Sequence, residues 1–168
     1  RGLSPNIEMG YPFKQGMPII VTVDRTFLDA KGQRLIGDMV RRYEIGPALR
    51  SRIDPMDWSY NQPATGSRDK FIVKFDRSLD HALLKHGLWI TDMNGLPVKG
   101  FGSIGPQERS WHFKPDSCWQ EGRYALHIDS RLEDLAGNSL VRVFDRDLTR
   151  TTDALIGDWA GSIYFSGV

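Results

Sequence analysis

Asp129, Glu133, Asp134 and Asn138 crowd into one short stretch of the chain. Their side-chain oxygens are the ligand type that calcium gathers around itself. Their spacing is not that of an EF-hand loop, and the same residues have a more local use. An Asp carboxylate accepts N–H bonds from the residues just ahead of it in a turn, and Gly137 and Asn138 tolerate the left-handed backbone such a turn needs. The expectation is a structural turn holding no metal. The histidines are scattered. His81 and His86 are not at a spacing that joins side chains on a helix face, and Ala82 and Gly87 follow them where a zincin motif would need Glu. His112 and His127 sit on predicted strands between core positions and should point outward. The five tryptophans could offer flat faces to a sugar. Trp89 and Trp111 are expected in the core and Trp119 as a cap, which leaves Trp58 and Trp159, outside the regular strands, as the candidate ligand surface. Cys118 stands alone, so there is no internal disulfide and no cysteine metal cluster. It is expected as a small buried residue beside Trp119. No nucleophile elbow, phosphate loop or dinucleotide fingerprint is present, and nothing places two carboxylates across a cleft. The expectation is a protein with no catalytic residues, no cofactor and no enzymatic activity.

Bulk properties narrow the partners. A net charge of +1 gives no electrostatic case for nucleic acid or an anionic membrane. No apolar run approaches the roughly 20 residues that span a bilayer. The alternating charges from Arg142 to Arg150 read as a solvated strand face. The start at Arg1, with no signal-like apolar region, is what a processed or truncated piece would show.

The elements that position these residues are strands. Residues 19–35 and 124–140 say the same thing twice, with Asp24 matching Asp129, Asp29 matching Asp134, Gly32 matching Gly137 and Leu35 matching Leu140. The two stretches are separated by about one immunoglobulin-sized domain. The chain therefore reads as two domain endings with one domain beginning. Residues 18–25 and 35–46 are predicted strands around a turn at Asp29 and Gly32. From residue 58 onward, short apolar-rich strands alternate with turns, and residues 78–86 form a helical turn capped by Ser78 or Asp80. The expected core is Phe71, Val73, Phe75, Leu83, Trp89, Trp111, Phe113, Tyr124, Leu126, Ile128, Leu132 and Leu140. Residues 162–165 read as a final strand that could return to pair with an exposed edge, that of the first hairpin included; the hairpin could otherwise pack on the sandwich or pair with another copy of the chain.

Trp111-His-Phe-Lys-Pro, Trp119-Gln-Glu-Gly-Arg-Tyr-Ala-Leu and Leu132-Glu-Asp-Leu-Ala-Gly-Asn-Ser-Leu resemble, in that order, the closing strands of the bacterial Ig-like domain of the SbsA type. Val73-Lys-Phe-Asp-Arg-Ser-Leu-Asp80 resembles an element of that family's first half. The likeness covers roughly residues 60–148, and residues 19–35 resemble the closing half of a second copy, with Gln33 in place of the turn Asn. It implies an all-β, Ig-like antiparallel sandwich over residues 58–148. The C-terminal part of an upstream repeat would occupy residues 1–50, and a tail with a short strand residues 149–168. The family occurs as tandem copies in uncharacterised exported bacterial proteins. The resemblance thus implies a periplasmic, outer-surface or secreted location and a structural or interaction role in the cell envelope. The partner would be a protein or a cell-wall component, or another copy through exposed strand edges. A glycan-binding module, or an accessory domain of a larger exported enzyme, are the alternative readings.

Overall fold

The computed structural model describes residues 12–144, 151 and 161–167. The chain divides into two compact units, Arg1–Leu49 and Arg50–Val168.

In the first unit, β1 (Pro18–Val23) and β2 (Met39–Glu44) form an antiparallel pair. Pro-Ile-Ile-Val-Thr-Val is rich in β-branched side chains, which fit a pleated strand better than a helix. Ile19 faces Tyr43, Val21 faces Arg41 and Val23 faces Met39 across the pair. Ile20, Val21, Met39, Val40 and Tyr43 all remain exposed.

In the second unit, one sheet has the order β3-β4-β7-β6 and the other β5-β8-β9. The first joins β3 (Ser59–Tyr60), β4 (Phe71–Lys74), β6 (Gly100–Ile104) and β7 (Ser110–Pro115). The second joins β5 (Leu88–Asp92), β8 (Gly122–Ile128) and β9 (Ser162–Gly167). Every pairing is antiparallel. The sheets pack as an all-β sandwich: Phe71 of β4 stacks on Phe165 of β9 with ring centroids 4.0 Å apart. Aromatic rings bury large areas and gain further from offset or edge-on contact. Between β4 and β5 lies α1 (His81–Leu84), where the Asp80 carboxylate accepts the Leu83 N–H at 2.8 Å. Of the two expected caps, Asp80 is the one used.

The expected core is found with two exceptions. Leu83 is only partly buried, and Trp89 is 45% exposed. Leu88 and Ile90 take the inward positions of β5, so the strand's period of two turns Trp89 to the outer face, opposite His127. Ile53, Leu79 and Leu84 join the core from outside the strands, and Phe165 joins it from β9. The final strand returns to a sheet edge as expected, but the edge is that of β8, with Tyr124 opposite Phe165, and not that of the first hairpin. The sandwich therefore extends beyond residues 58–148 at both ends, to Ile53 and to β9.

Leu126 lies at the centre of β8 and is fully buried. Leu126→Ala should destabilise the protein by about 2–5 kcal/mol through lost burial and a residual cavity. A denaturant melt shifted by less than about 0.5 kcal/mol, the range of ordinary surface changes, would contradict its place in the core.

Candidate functional site

The stretch that could have bound calcium is built as a closed turn. Asp134 Oδ1 accepts the backbone N–H of Ala136 and of Asn138, each at 2.9 Å. The Asn138 side-chain amide donates to Oδ1 at 3.3 Å and Oδ2 at 3.0 Å. Arg77 donates to Oδ2 at 3.2 Å. Gly137 makes the turn at φ +80°, a left-handed conformation that costs Gly far less than other residues. The Asp134 N–H donates to the Asn138 carbonyl at 2.9 Å and the Gly137 N–H to the Asp134 carbonyl at 3.0 Å. A bridge between Glu133 and Ser139 closes the loop.

The same turn is built at Asp29. Its Oδ1 accepts from Lys31 and Gln33 at 2.8 and 2.9 Å, Gly32 has φ +75°, and Leu28 bridges Arg34. It is built a third time at Asp92. There Oδ1 accepts from Asn94 and Leu96, both at 2.9 Å, Gly95 has φ +77°, and Thr91 bridges Pro97. The sequence places a turn here only as one of those alternating with strands from residue 58 onward. The missed signal was the shared spacing, Asp with Gly three positions on.

The first and last turns share more than the middle one. β1 runs straight into Asp24, whose Oδ1 accepts the Thr26 N–H at 2.7 Å, while the Phe27 N–H donates to the Asp24 carbonyl at 2.9 Å. β8 runs straight into Asp129, whose Oδ1 accepts the Arg131 N–H at 2.9 Å, while the Leu132 N–H donates to the Asp129 carbonyl at 3.0 Å. Bonds from Thr26 hold the Asp24 carboxyl below its ordinary pKa, and bonds from Arg131 do the same for Asp129. Both carboxylates therefore favour the fold above the ordinary carboxylate range. That help fades as the pH falls through their lowered pKa values. The Asp92 turn follows β5 directly and has no such leading turn. The repeated unit is strand, Asx turn and Asp-x-x-Gly turn together.

Surroundings separate the copies. The Asp29 turn is exposed, whereas Asp134 is 3% exposed and Asn138 1%. Leu79 bridges Asp134, and the Asp80 N–H donates to the Glu133 carbonyl at 2.8 Å, so the turn is sewn to the segment before α1. Asn138 Oδ1 accepts the Phe144 N–H at 3.1 Å. Arg77 also bonds Asp76 Oδ2 at 2.7 Å and the Ser51 carbonyl at 3.1 Å. Burial opposes the Arg77 charge, but its bonds to Asp76 and Asp134 outweigh that and raise its pKa. Both Asp134 oxygens thus face N–H donors, one of them a cation. Adding calcium is expected to leave the melting temperature unchanged; a calcium-dependent rise, the mark of a ligand bound only by the folded state, would overturn that account. Among the described residues, no group of three or more His, Cys, Asp or Glu is arranged to hold a metal.

The other sequence candidates fall differently. Trp58 is 6% exposed and lies edge-on to Phe75 with ring centroids 4.7 Å apart, so it is a core residue and not a ligand surface. A short helical turn at Pro55–Asp57, capped by Asp54, carries it inward. Trp159 lies outside the described residues. Cys118 is exposed; its neighbour Trp119 takes the buried position. An exposed group of aromatic side chains lies instead on the outer face of β5-β8-β9. Trp89 stacks on His127 with centroids 5.3 Å apart and planes 11° from parallel. Thr91 Oγ1 and Ser162 Oγ flank the two His127 ring nitrogens at 2.9 and 3.0 Å and fix its plane. Tyr164 is exposed on the same face, and the Arg123 guanidinium lies 5.6 Å from its ring centroid. Among the described residues, no helix is long and apolar enough to cross a membrane.

No protein-family model matches the chain. No curated protein matches it either. Among solved structures it is similar to the S-layer protein rSbsC(31-844), with a TM-score of 0.42 and 13% identity over 65% of this chain. The chain spans 13% of that protein's length.

Proposed function

We propose that this chain is a non-enzymatic structural or interaction module of the bacterial cell envelope, one Ig-like sandwich together with the closing half of a preceding copy. The observation that carries the reading is the repeated closing unit. A strand, an Asx turn and an Asp-x-x-Gly turn recur with the same hydrogen bonds at residues 18–34 and 122–139. Their most polar residues are engaged in holding backbone, which suits a spacer or a presenting scaffold. The motif order of the SbsA-type domain supports an exported location. Fold does not fix function, so location is the test. In its host, the full-length protein should be recovered in the envelope fraction or the medium and be cleaved by protease added to intact cells. Recovery only in the cytoplasm, protected from that protease, would refute the reading.

A second reading, glycan binding, is favoured by the Trp89–His127 stack, which presents a flat aromatic surface beside Tyr164. Binding on a glycan array that is lost in Trp89→Ala would establish it in place of a purely structural role. The third, an accessory domain of an exported enzyme, would be decided by a catalytic domain encoded in the same reading frame.

A further inference from the structure

In the sandwich, β8 is flanked on one side by β9 and on the other by β5. The closing unit makes β1 the counterpart of β8. β2, antiparallel to β1 after the turn, is then the counterpart of β9. Among the described residues β1 has no partner on its other edge, the edge that β5 occupies on β8. The face it would bring inward is apolar: Ile19, Val21 and Val23, matching Tyr124, Leu126 and Ile128, with Met39 and Tyr43 alongside. Val21, Met39 and Tyr43 are exposed there. Arg41 stands where β9 has Ile163, and its aliphatic stem can cover apolar surface while the charge reaches water.

We propose that the free edge of β1 is a strand-acceptor slot, occupied in the parent protein by a β5-type strand from the opening half of the preceding sandwich. This rests on the tandem reading above and adds the partner and its register. Leu88, Ile90 and Asp92 face Ile128, Leu126 and Tyr124. The incoming strand therefore runs antiparallel to β1 with successive inward residues opposite Val23, Val21 and Ile19. Backbone bonds along an exposed edge supply the affinity, and alternate side chains supply the selectivity. An edge of this kind is otherwise a liability for association.

The test uses the chain as it stands and a fluorescent peptide carrying residues 86–94, the β5 segment. Anisotropy should show saturable binding, with NMR shifts confined to β1 and its inward face. Val21→Lys should weaken binding by at least about tenfold, because it places a charge on the face being desolvated. Ile20→Lys, the same charge on the opposite face of the same strand, should change it by no more than about twofold. Where Val21→Lys disturbs the β1–β2 pairing, Val21→Thr keeps the β-branched shape and serves in its place. Absence of binding, shifts at the β6 or β9 edges instead, or equal loss in both variants with the hairpin intact would overturn the proposal. So would a dimer of the chain through the β1 edge that the peptide fails to dissociate, since the occupant would then be a second copy. The tandem reading is tested separately, by whether an opening half-sandwich is encoded upstream. If it is and the peptide fails, the slot alone is lost.

Discussion

Trp119→Ala should be among the most damaging single changes in this protein, destabilising it by about 3–5 kcal/mol. Trp119 is 1% exposed. Its ring lies edge-on to Tyr124 and Phe165 of one sheet, with centroids 4.9 and 5.7 Å away, and tilted against Phe113 of the other at 6.1 Å. Its Nε1–H donates to the Asp69 carbonyl at 2.8 Å, and its backbone N–H donates to Ser67 at 2.9 Å. Truncation would open a cavity between the sheets and remove the bond to the Asp69 carbonyl, two losses in the same direction. Trp119→Phe would restore much of the volume but not the bond, and should fall between wild type and Ala in a urea melt. A Trp119→Ala midpoint equal to that of wild type would remove Trp119 from the centre of the sandwich.

Asp134→Ala should cost about 3 kcal/mol, at the lower end for breaking a buried pair because Arg77 keeps Asp76 as a partner. The loss combines an unpaired Arg77 bond with the unmet N–H groups of Ala136 and Asn138. The equivalent changes Asp29→Ala and Asp92→Ala remove the same backbone bonds at exposed turns and should each cost about 1 kcal/mol or less. Local geometry is thus held constant while burial varies. Equal effects at all three positions would mean that the wiring of Asp134 to Arg77 and to the segment before α1 contributes nothing.

Much of this was legible because the signals are local. The alternation of Tyr124, Leu126 and Ile128 places β8 and its inward face, since successive strand residues point to opposite sides. Asp134 and Gly137 announce a turn through what their side chains can and cannot do. What escaped depends on distant parts of the chain. Trp58 follows an irregular segment, and only its packing on Phe75 shows that it is core. Residues 162–165 read as a strand by composition, but the choice of β8 as partner is a long-range pairing that no local pattern encodes. Trp89, expected in the core, is turned outward by the strand's period, because Leu88 and Ile90 on either side take the inward face. The turn at Asp92 was partly hidden because the residues before it are strand, without the Asx turn that makes the other two copies look alike.

The central claim, that residues 24–34 and 129–139 are two copies of one closing unit, is tested most directly by amide hydrogen exchange in the intact chain, residue by residue. The amides of Thr26, Lys31 and Gln33 and those of Arg131, Ala136 and Asn138 all donate to an Asp carboxylate. Both sets should exchange more slowly than their coil rates. Asn138, buried, should approach the slowest amides of β8, while exposed Gln33 opens locally and exchanges faster. Coil-like exchange at Lys31 and Gln33, with Ala136 and Asn138 protected, would contradict the claim: the first copy would be a likeness of letters without the turn.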